Sequence, residues 1–487
     1  MSKVNPFKPH SPINSAMFAG REVEVKKLEG HLIQTRFGSP ANFIITGERG
    51  IGKSSLLSYL KSVASGEEAL RNGEKLRFLV IETDIDSTTT QAGLIKKIEM
   101  GLRFALGSSE AVKVFLKDFV DVVMRMEAAG VKIRDSGKSA DPDNLIEEFS
   151  YTFGDTVKRL CRSSKNPLSA KYDGALILID EADNASDDLA LGSFLKLFLE
   201  RLQKRGCPHV MFGLAGLPHL HEVLVSSHKS SLRIFDDIAL DRLTEEEVHE
   251  AVTLCLATAN KVNDEPMTID DDAILALQHL SDGYPHFIQQ FGYSAYAADG
   301  DNRLSSADVA SGAFDAGGAL DQIGESYYRD DFYNKVQKES HRQVLRIMSQ
   351  DLDAWVPKSK IRAKFKGTDK SLNAAIRLLR QKRIIFTKEG TPGVYRLQHK
   401  GFAYWITLRA TPTVAITDLL KGPPPKSSTS GSFKAVEVDA DYSDESLSDL
   451  EGSYEGLDDE DLAALDDYPG DLDEDNLAAD SSGWNVD

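Results

Sequence analysis

Short apolar runs alternate with longer segments of helical period along the first half of the chain. Ala41–Thr46, Leu76–Asp84, Ala175–Ile179 and Val210–Leu214 are brief, rich in Leu, Val and Ile, and predict buried strands. Gly20–Thr35, Ser54–Ala64, Thr89–Leu106, Glu110–Ala129 and Asn144–Cys161 predict helices; the first places Val23, Val25, Leu28 and Leu32 at helical spacing. This alternation predicts an α/β fold, a parallel sheet with helices on both faces. From Thr244 the pattern is helical alone. Thr244–Ala259 opens with a capping box, Thr244 with Glu247 three residues on, and Asp271–Leu280 and Pro285–Ala298 follow as a small helical domain. Ser340–Gln350, Lys358–Phe365 and Lys370–Lys382 are three more helices. Arg383–Thr387 and Gly393–Leu397 then pair as a hairpin around Gly390, which predicts a winged helix-turn-helix.

Charge refines these boundaries. The chain has 487 residues and a net charge of −19. Residues 433–487 hold 20 Asp and Glu against one Lys, so the tail carries the whole imbalance. Pro357–Lys400 holds 13 Lys and Arg against two acids. The expected organisation is an N-terminal arm (1–16), a nucleotide-binding core (17–243), a helical lid (244–332), a winged helix (333–410), a Pro- and Ser-rich linker (411–432) and a disordered acidic tail (433–487). No stretch approaches the ~20 apolar residues that span a bilayer, and no signal-peptide core opens the chain, so a cytoplasmic location is expected. Cys161, Cys207 and Cys255 have neither disulfide-framework nor zinc spacing.

The chemistry concentrates in two places. Gly47-Glu48-Arg49-Gly50-Ile51-Gly52-Lys53-Ser54 has the form GxxxxGK[ST] between a strand and a helix. The glycines let backbone N–H groups wrap phosphates, and the helix N-terminus adds a favourable dipole. Lys53 is expected to reach the β- and γ-phosphates, Ser54 to ligate Mg²⁺, and Ser55 to follow in the same turn. The run Leu176–Ile179 ends in Asp180 and Glu181. Asp180 is expected in the Mg²⁺ shell and Glu181 as the base that deprotonates the attacking water. Lys53, Asp180 and Glu181 are thus catalytic candidates, with ATP and Mg²⁺ as cofactors.

Together with Phe18-Ala-Gly-Arg21-Glu22, Gly213-Leu-Ala-Gly-Leu-Pro218, Asp241-Arg-Leu-Thr-Glu245 and Gly283-Tyr-Pro285, these motifs resemble the AAA+ P-loop ATPases of the origin-recognition initiator type. They are also similar to the related STAND signalling ATPases and to the transposition-regulator and secretion ATPases. The resemblance spans about Phe18–Leu408. It implies that Phe18 and Arg21 line the adenine and ribose side, and that Pro285 brings the lid to the nucleotide, although Gly283–Pro285 equally suits a plain turn before a helix. It implies an arginine finger at Arg233, a residue that also suits a surface ion pair. His399 is similar to the winged-helix His of STAND proteins, which contacts bound ADP. Two departures stand out: Val210–Leu214 lacks a polar residue to position water, and His286 stands where many relatives carry an Arg. Both point to slow turnover.

Lys358, Lys360, Arg377, Arg380, Lys382 and Arg383 crowd the winged helix, a density suited to DNA phosphates, although such modules also serve in packing. The tail interleaves acids with Leu457, Leu462, Leu465, Tyr468, Leu472, Leu477 and Trp484, which suits either the chain's own basic module or a basic partner protein. The expected function is an ATPase that controls self-assembly and DNA binding in replication, transposition or genome defence. The alternatives are a STAND-like ATP/ADP switch and an ATP-dependent scaffold acting with a separate effector.

Overall fold

The structure, a computed structural model, describes residues 4–11, 19–107, 109–136, 142–162, 171–352, 355–388 and 390–410, the side chains of 125–145 excepted. Phe18, the linker and the acidic tail lie outside the described residues.

Five strands, β1 (Asn42–Thr46), β2 (Phe78–Asp84), β3 (Gly174–Asp180), β4 (Val210–Gly216) and β5 (Phe235–Ala239), form one parallel sheet in the order β2-β3-β4-β1-β5. Alternate residues of the central strands enter different cores. Phe43, Ile45, Leu176, Leu178 and Met211 face one side, where α1 (Glu22–Arg36) and α2 (Lys53–Ser65) pack. Ile44, Ala175, Ile177, Ile179, Phe212 and Leu214 face the other, beneath α3 (Gln91–Leu106), α4 (Glu110–Ser136), α5 (Pro142–Cys161), α6 (Leu191–Lys204) and α7 (Leu220–Ser227). A strand buried on both faces carries apolar residues throughout, which is why these runs are continuous rather than alternating. Each such side chain contributes about 1.5–3 kcal/mol. On the second face Phe119, Phe149, Phe153, Phe194, Phe198 and Phe212 pack ring to ring.

After the sheet come α8 (Glu245–Ala259), α9 (Asp271–Ser281), α10 (Pro285–Ala298), α11 (Ser306–Phe314) and α12 (Ala319–Ile323). The predicted capping box is present: Glu247 N donates to Thr244 Oγ1 and Thr244 N to the Glu247 carboxylate. Two π-helical turns, Gly324–Tyr328 and Asp330–Asn334, lead to a C-terminal module. It consists of α13 (Glu339–Ser349), α14 (Lys358–Lys364) and α15 (Asp369–Gln381), an antiparallel sheet in which Val394–Leu397 pairs with both Val356–Pro357 and Ile385–Thr387, and a closing helix, α16 (Lys400–Arg409). The described part of the N-terminal arm lies on the helical segment. Phe7 is buried there, Lys8 N donates to Gln289 Oε1, and Val4 and Asn263 exchange hydrogen bonds. Among the described residues no helix is long and apolar enough to cross a membrane.

The glycines of Gly213–Pro218 have a packing cause. Gly213 is the register partner of Phe43, and a Cβ there would lie 2.1 Å from the Phe43 ring. Gly213→Ala is therefore expected to destabilise the protein by about 1–3 kcal/mol through overpacking. Denaturant unfolding monitored by circular dichroism checks this.

Candidate nucleotide site

The loop between β1 and α2 has a tight turn because Gly50 and Gly52 adopt φ of 79° and 102°, a region that side chains disfavour. The same glycines give room for the helical segment. A Cβ on Gly50 would lie 3.1 Å from His286 Cβ, and Gly50 O accepts His286 N at 3.1 Å. Lys53, at the start of α2, donates to Gly47 O at 2.8 Å and Glu48 O at 3.0 Å. Burial lowers the Lys53 pKa, while Asp180 and Asp183 act in the opposite sense.

Although 126 positions apart, the two halves of the site meet: Ser54 Oγ donates to Asp180 Oδ2 at 2.7 Å. The other Asp180 oxygen accepts Glu181 N at 2.9 Å. Glu181 itself has a left-handed backbone, φ 51°, and its Oε2 accepts Asn184 Nδ2 at 3.3 Å. Asp183 was not singled out in the sequence. Its carboxylate is buried, accepts Leu217 N at 3.0 Å and lies 3.7 Å from His219 Nε2. Gly216 leaves room for it, since a Cβ there would fall 2.6 Å from Asp183 Oδ1. The lone signal for it in the sequence was that glycine in Gly213–Pro218.

Arg21 is 6% exposed and caps α1 with φ 61°. Its guanidinium donates to Ile51 O and Asp241 O, and its backbone N to Glu247 Oε1 at 2.9 Å. It thereby ties the phosphate loop to the segment entering α8. Beside it is a pocket lined by Ala19, Arg21, Ile51, Gly52, Ser55, Leu243, Ala251, Pro285, Ile288 and Gln289. Pro285 follows the Gly283 turn, opens α10 and lines this pocket. Glu48 and Arg49 direct their side chains to aromatic residues of the helical segment. Glu48 accepts the Tyr284 hydroxyl, and the Arg49 guanidinium lies 5.3 Å from the centre of the Tyr327 ring. His286, half-buried beside Tyr327, has its pKa lowered by desolvation, with His10 and Arg49 adding to the effect.

Arg233 lies in a short turn before β5 and is exposed, and no ion pair or side-chain hydrogen bond engages it among the described residues. His399 opens α16 and packs among Tyr284, Phe287 and Tyr328, with ring centres 4.7, 5.1 and 6.1 Å away and its Nδ1 buried. In this arrangement Tyr284 stands between His399 and the phosphate loop.

A Gly-rich turn after a strand, a lysine at the mouth of a helix, and a hydroxyl and a carboxylate in contact are what a triphosphate and a hard divalent cation require. Lys53 and the loop's N–H groups would hold the phosphates, and Ser54 and Asp180 would hold Mg²⁺; the oxygen donors fit such an ion. Fold and site together define an AAA+ P-loop NTPase core.

Residues 17–212 match the family model described as the AAA ATPase domain. No curated protein matches the chain in sequence. Solved structures similar to it include the ORC2 protein of Aeropyrum pernix in ADPNP–ADP complexes, at 12% identity, covering 81% of this chain and 93% of that one with a TM-score of 0.46. Cdc6p of Pyrobaculum aerophilum is similar at 13% identity, with coverage of 82% and 95% and a TM-score of 0.39. The ORC1 protein of Aeropyrum pernix in complex with DNA is similar at 16% identity, with coverage of 83% and 95% and a TM-score of 0.37. All three likenesses are distant.

Burial has a measurable consequence at His399, whose pKa it pushes down from 6.5 to about 3, with Arg242 and Arg396 adding to the effect. Between those values the unfolded chain binds a proton that the folded chain refuses. This contribution to stability is therefore complete above pH 6.5 and is lost as the pH falls toward 3, by about 1.4 kcal/mol per unit. Between about pH 6.5 and pH 5, wild type should lose roughly 1–2 kcal/mol more than His399→Asn. Urea unfolding of both proteins at the two pH values measures the difference.

Proposed function

We propose that this chain is an ATPase whose nucleotide cycle controls self-association and DNA binding. The observation that carries the reading is the 2.7 Å contact between Ser54 and Asp180, which brings a phosphate loop and a carboxylate strand into one site. Mg²⁺ supplies charge neutralisation on the β- and γ-phosphates when bound. Lys53 orients those phosphates, Glu181 takes a proton from water as the water oxygen attacks the γ-phosphorus, and ADP departs. Arg233 is the candidate to act on a neighbouring subunit's site; its exposed, unpaired guanidinium favours this over an ion pair within the chain.

Three helices followed by a β-hairpin support reading the C-terminal module as a winged helix, with α15 as the helix that enters the major groove. Its exposed face carries Asn373, Arg377 and Gln381 opposite the buried Leu372, Ile376 and Leu379. Of the six basic residues expected at DNA, Lys358, Arg377, Arg380 and Arg383 have side chains with no hydrogen bond or ion pair among the described residues. Lys360 is paired with Asp351 at 2.6 Å, and Lys382 donates to Lys335 O at 2.6 Å. The four free side chains form the favoured contact set.

A second reading, a switch that holds nucleotide and turns over slowly, is favoured by the Asn184–Glu181 hydrogen bond, which occupies the proposed base. It predicts ADP retained through purification and phosphate release slower than about one per minute.

Lys53→Ala should weaken binding of labelled ATP with magnesium by about 100-fold or more, because a charge-assisted contact to two phosphates is lost. Unchanged binding would overturn the reading. Glu181→Gln should keep binding and lower phosphate release by about 10²–10⁴-fold. Arg233→Ala should also be slow alone, and mixing it with Glu181→Gln should restore part of the release, since each supplies what the other lacks; no recovery would remove Arg233 from the trans role. Replacing Arg377, Arg380 and Arg383 by Ala should lower duplex affinity and reduce the salt slope by about 2–3. Fluorescence anisotropy at several salt concentrations measures both.

A further inference from the structure

Glu48 is the first variable residue of the phosphate loop, and its two polar ends face different partners. Its carbonyl oxygen accepts Lys53 Nζ at 3.0 Å. Its carboxylate accepts the hydroxyl of Tyr284, a fully buried residue at the entrance of α10. The Arg242 guanidinium lies 4.9 Å from the centre of that ring, and the His399 imidazole meets it edge-on with centres 4.7 Å apart. Arg242 is paired with Asp282, whose other oxygen lies 3.8 Å from Lys400 Nζ in α16. Arg242, Tyr328 and His399 each bury a nitrogen or oxygen that finds no partner among the described residues, so this junction is tightly closed yet incompletely bonded. Contacts therefore run from Lys53 through Glu48 and Tyr284 to α16 and the C-terminal module.

A row of contacts couples two places only if some element in it has two arrangements that a ligand biases. Lys53 is that element. Its ammonium has three donors, now directed at the carbonyls of Gly47 and Glu48, and triphosphate oxygens would compete for the same donors. Once they win, the peptide that carries the Glu48 side chain loses its clamp and turns about Gly47 and Gly50. The carboxylate moves with it, and Tyr284, enclosed on its other faces, is the group it pulls. Burial, together with Glu48, holds the Tyr284 hydroxyl in its protonated, donating form, although Arg242 works against this.

We propose that Glu48 and Tyr284 are positioning residues that transmit phosphate binding at Lys53 to α16 and the C-terminal module. This rests on the nucleotide-site reading and names how that site is coupled to the rest of the chain. The test is hydrogen–deuterium exchange of the full chain, alone, with ADP, and with a non-hydrolysable ATP analogue plus magnesium. In wild type, the analogue should alter exchange at residues 47–54 and also at 394–409. Tyr284→Phe keeps the ring and loses only the hydroxyl. It should keep the change at 47–54 and lose at least half of the response at 394–409, with a melting temperature near that of wild type. Because both residues act through one contact, the double variant Glu48→Gln/Tyr284→Phe should lose no more than Tyr284→Phe alone. A change at 47–54 with none at 394–409 in wild type overturns the proposal alone, as does a full response in Tyr284→Phe. No change at 47–54 overturns both the proposal and the nucleotide-site reading beneath it.

Discussion

A lysine ammonium brought into a half-closed turn must find oxygen atoms, or burial will remove its charge. Lys53 is placed so that it finds them in two sets: carbonyls of its own loop, and the carboxylates of Asp180 and Asp183 beyond them. Much of the surrounding architecture serves this constraint. The parallel sheet orders its strands so that β4 lies between β1, which ends at the loop, and β3, which ends at the carboxylates. Gly216, the last residue of β4, leaves room for Asp183. Arg21 fixes the loop from behind by bonding to Ile51 O and Asp241 O. The site is thus built from fixed oxygens that surround one ammonium group.

The same logic explains why the helical segment is more than a cover. His286 N bonds to Gly50 O, Pro285 sits against Gly52, and Tyr284 bonds to Glu48. Three consecutive residues of one turn thus touch three residues of the phosphate loop. Gly283, with φ 74°, makes that turn possible, because a Cβ there would strike Leu243 O at 2.6 Å. Interactions between rigid neighbours change in steps rather than continuously, since packed interiors do not deform smoothly. A loop gripped by a turn in this way has few intermediate positions open to it.

Strands β1 to β4 were legible because burial on both faces demands unbroken apolar runs, and the phosphate loop because its chemistry dictates its spacing. β5 was not: Phe235–Ala239 carries Asp236 and Asp237, since an edge strand needs only part of its surface buried, and these acids pair with Lys27, His31 and His221. The π-helical turns have no sequence signature at all. At the site, the meeting of Ser54 with Asp180 was foreseeable from their motifs. Asp183, Asn184, Tyr284 and Arg242 were not, because each acquires its place only when segments far apart in sequence come together. His399 was noticed for its resemblance to a nucleotide-contacting residue, and the fold places it one ring behind the loop, against Tyr284.

Electrostatics on the C-terminal module depends on the same distinction between charge counted in sequence and charge available in space. Thirteen basic residues between Pro357 and Lys400 describe a strongly cationic segment. Several are already engaged: Lys360 with Asp351, Arg362 with Asp369, Lys382 with Lys335 O, and Arg396 stacked on Trp355 and Phe386. Exposed pairs of this kind contribute little to stability, roughly 0–1 kcal/mol, and can be exchanged for a phosphate at small cost. Arg396 differs, because it is stacked between aromatic rings and half-buried beside Arg242. Its charge belongs to the junction with the core rather than to the outer face. The module therefore presents cations on two sides, one turned outward on α15 and one turned inward toward Tyr284 and Glu48.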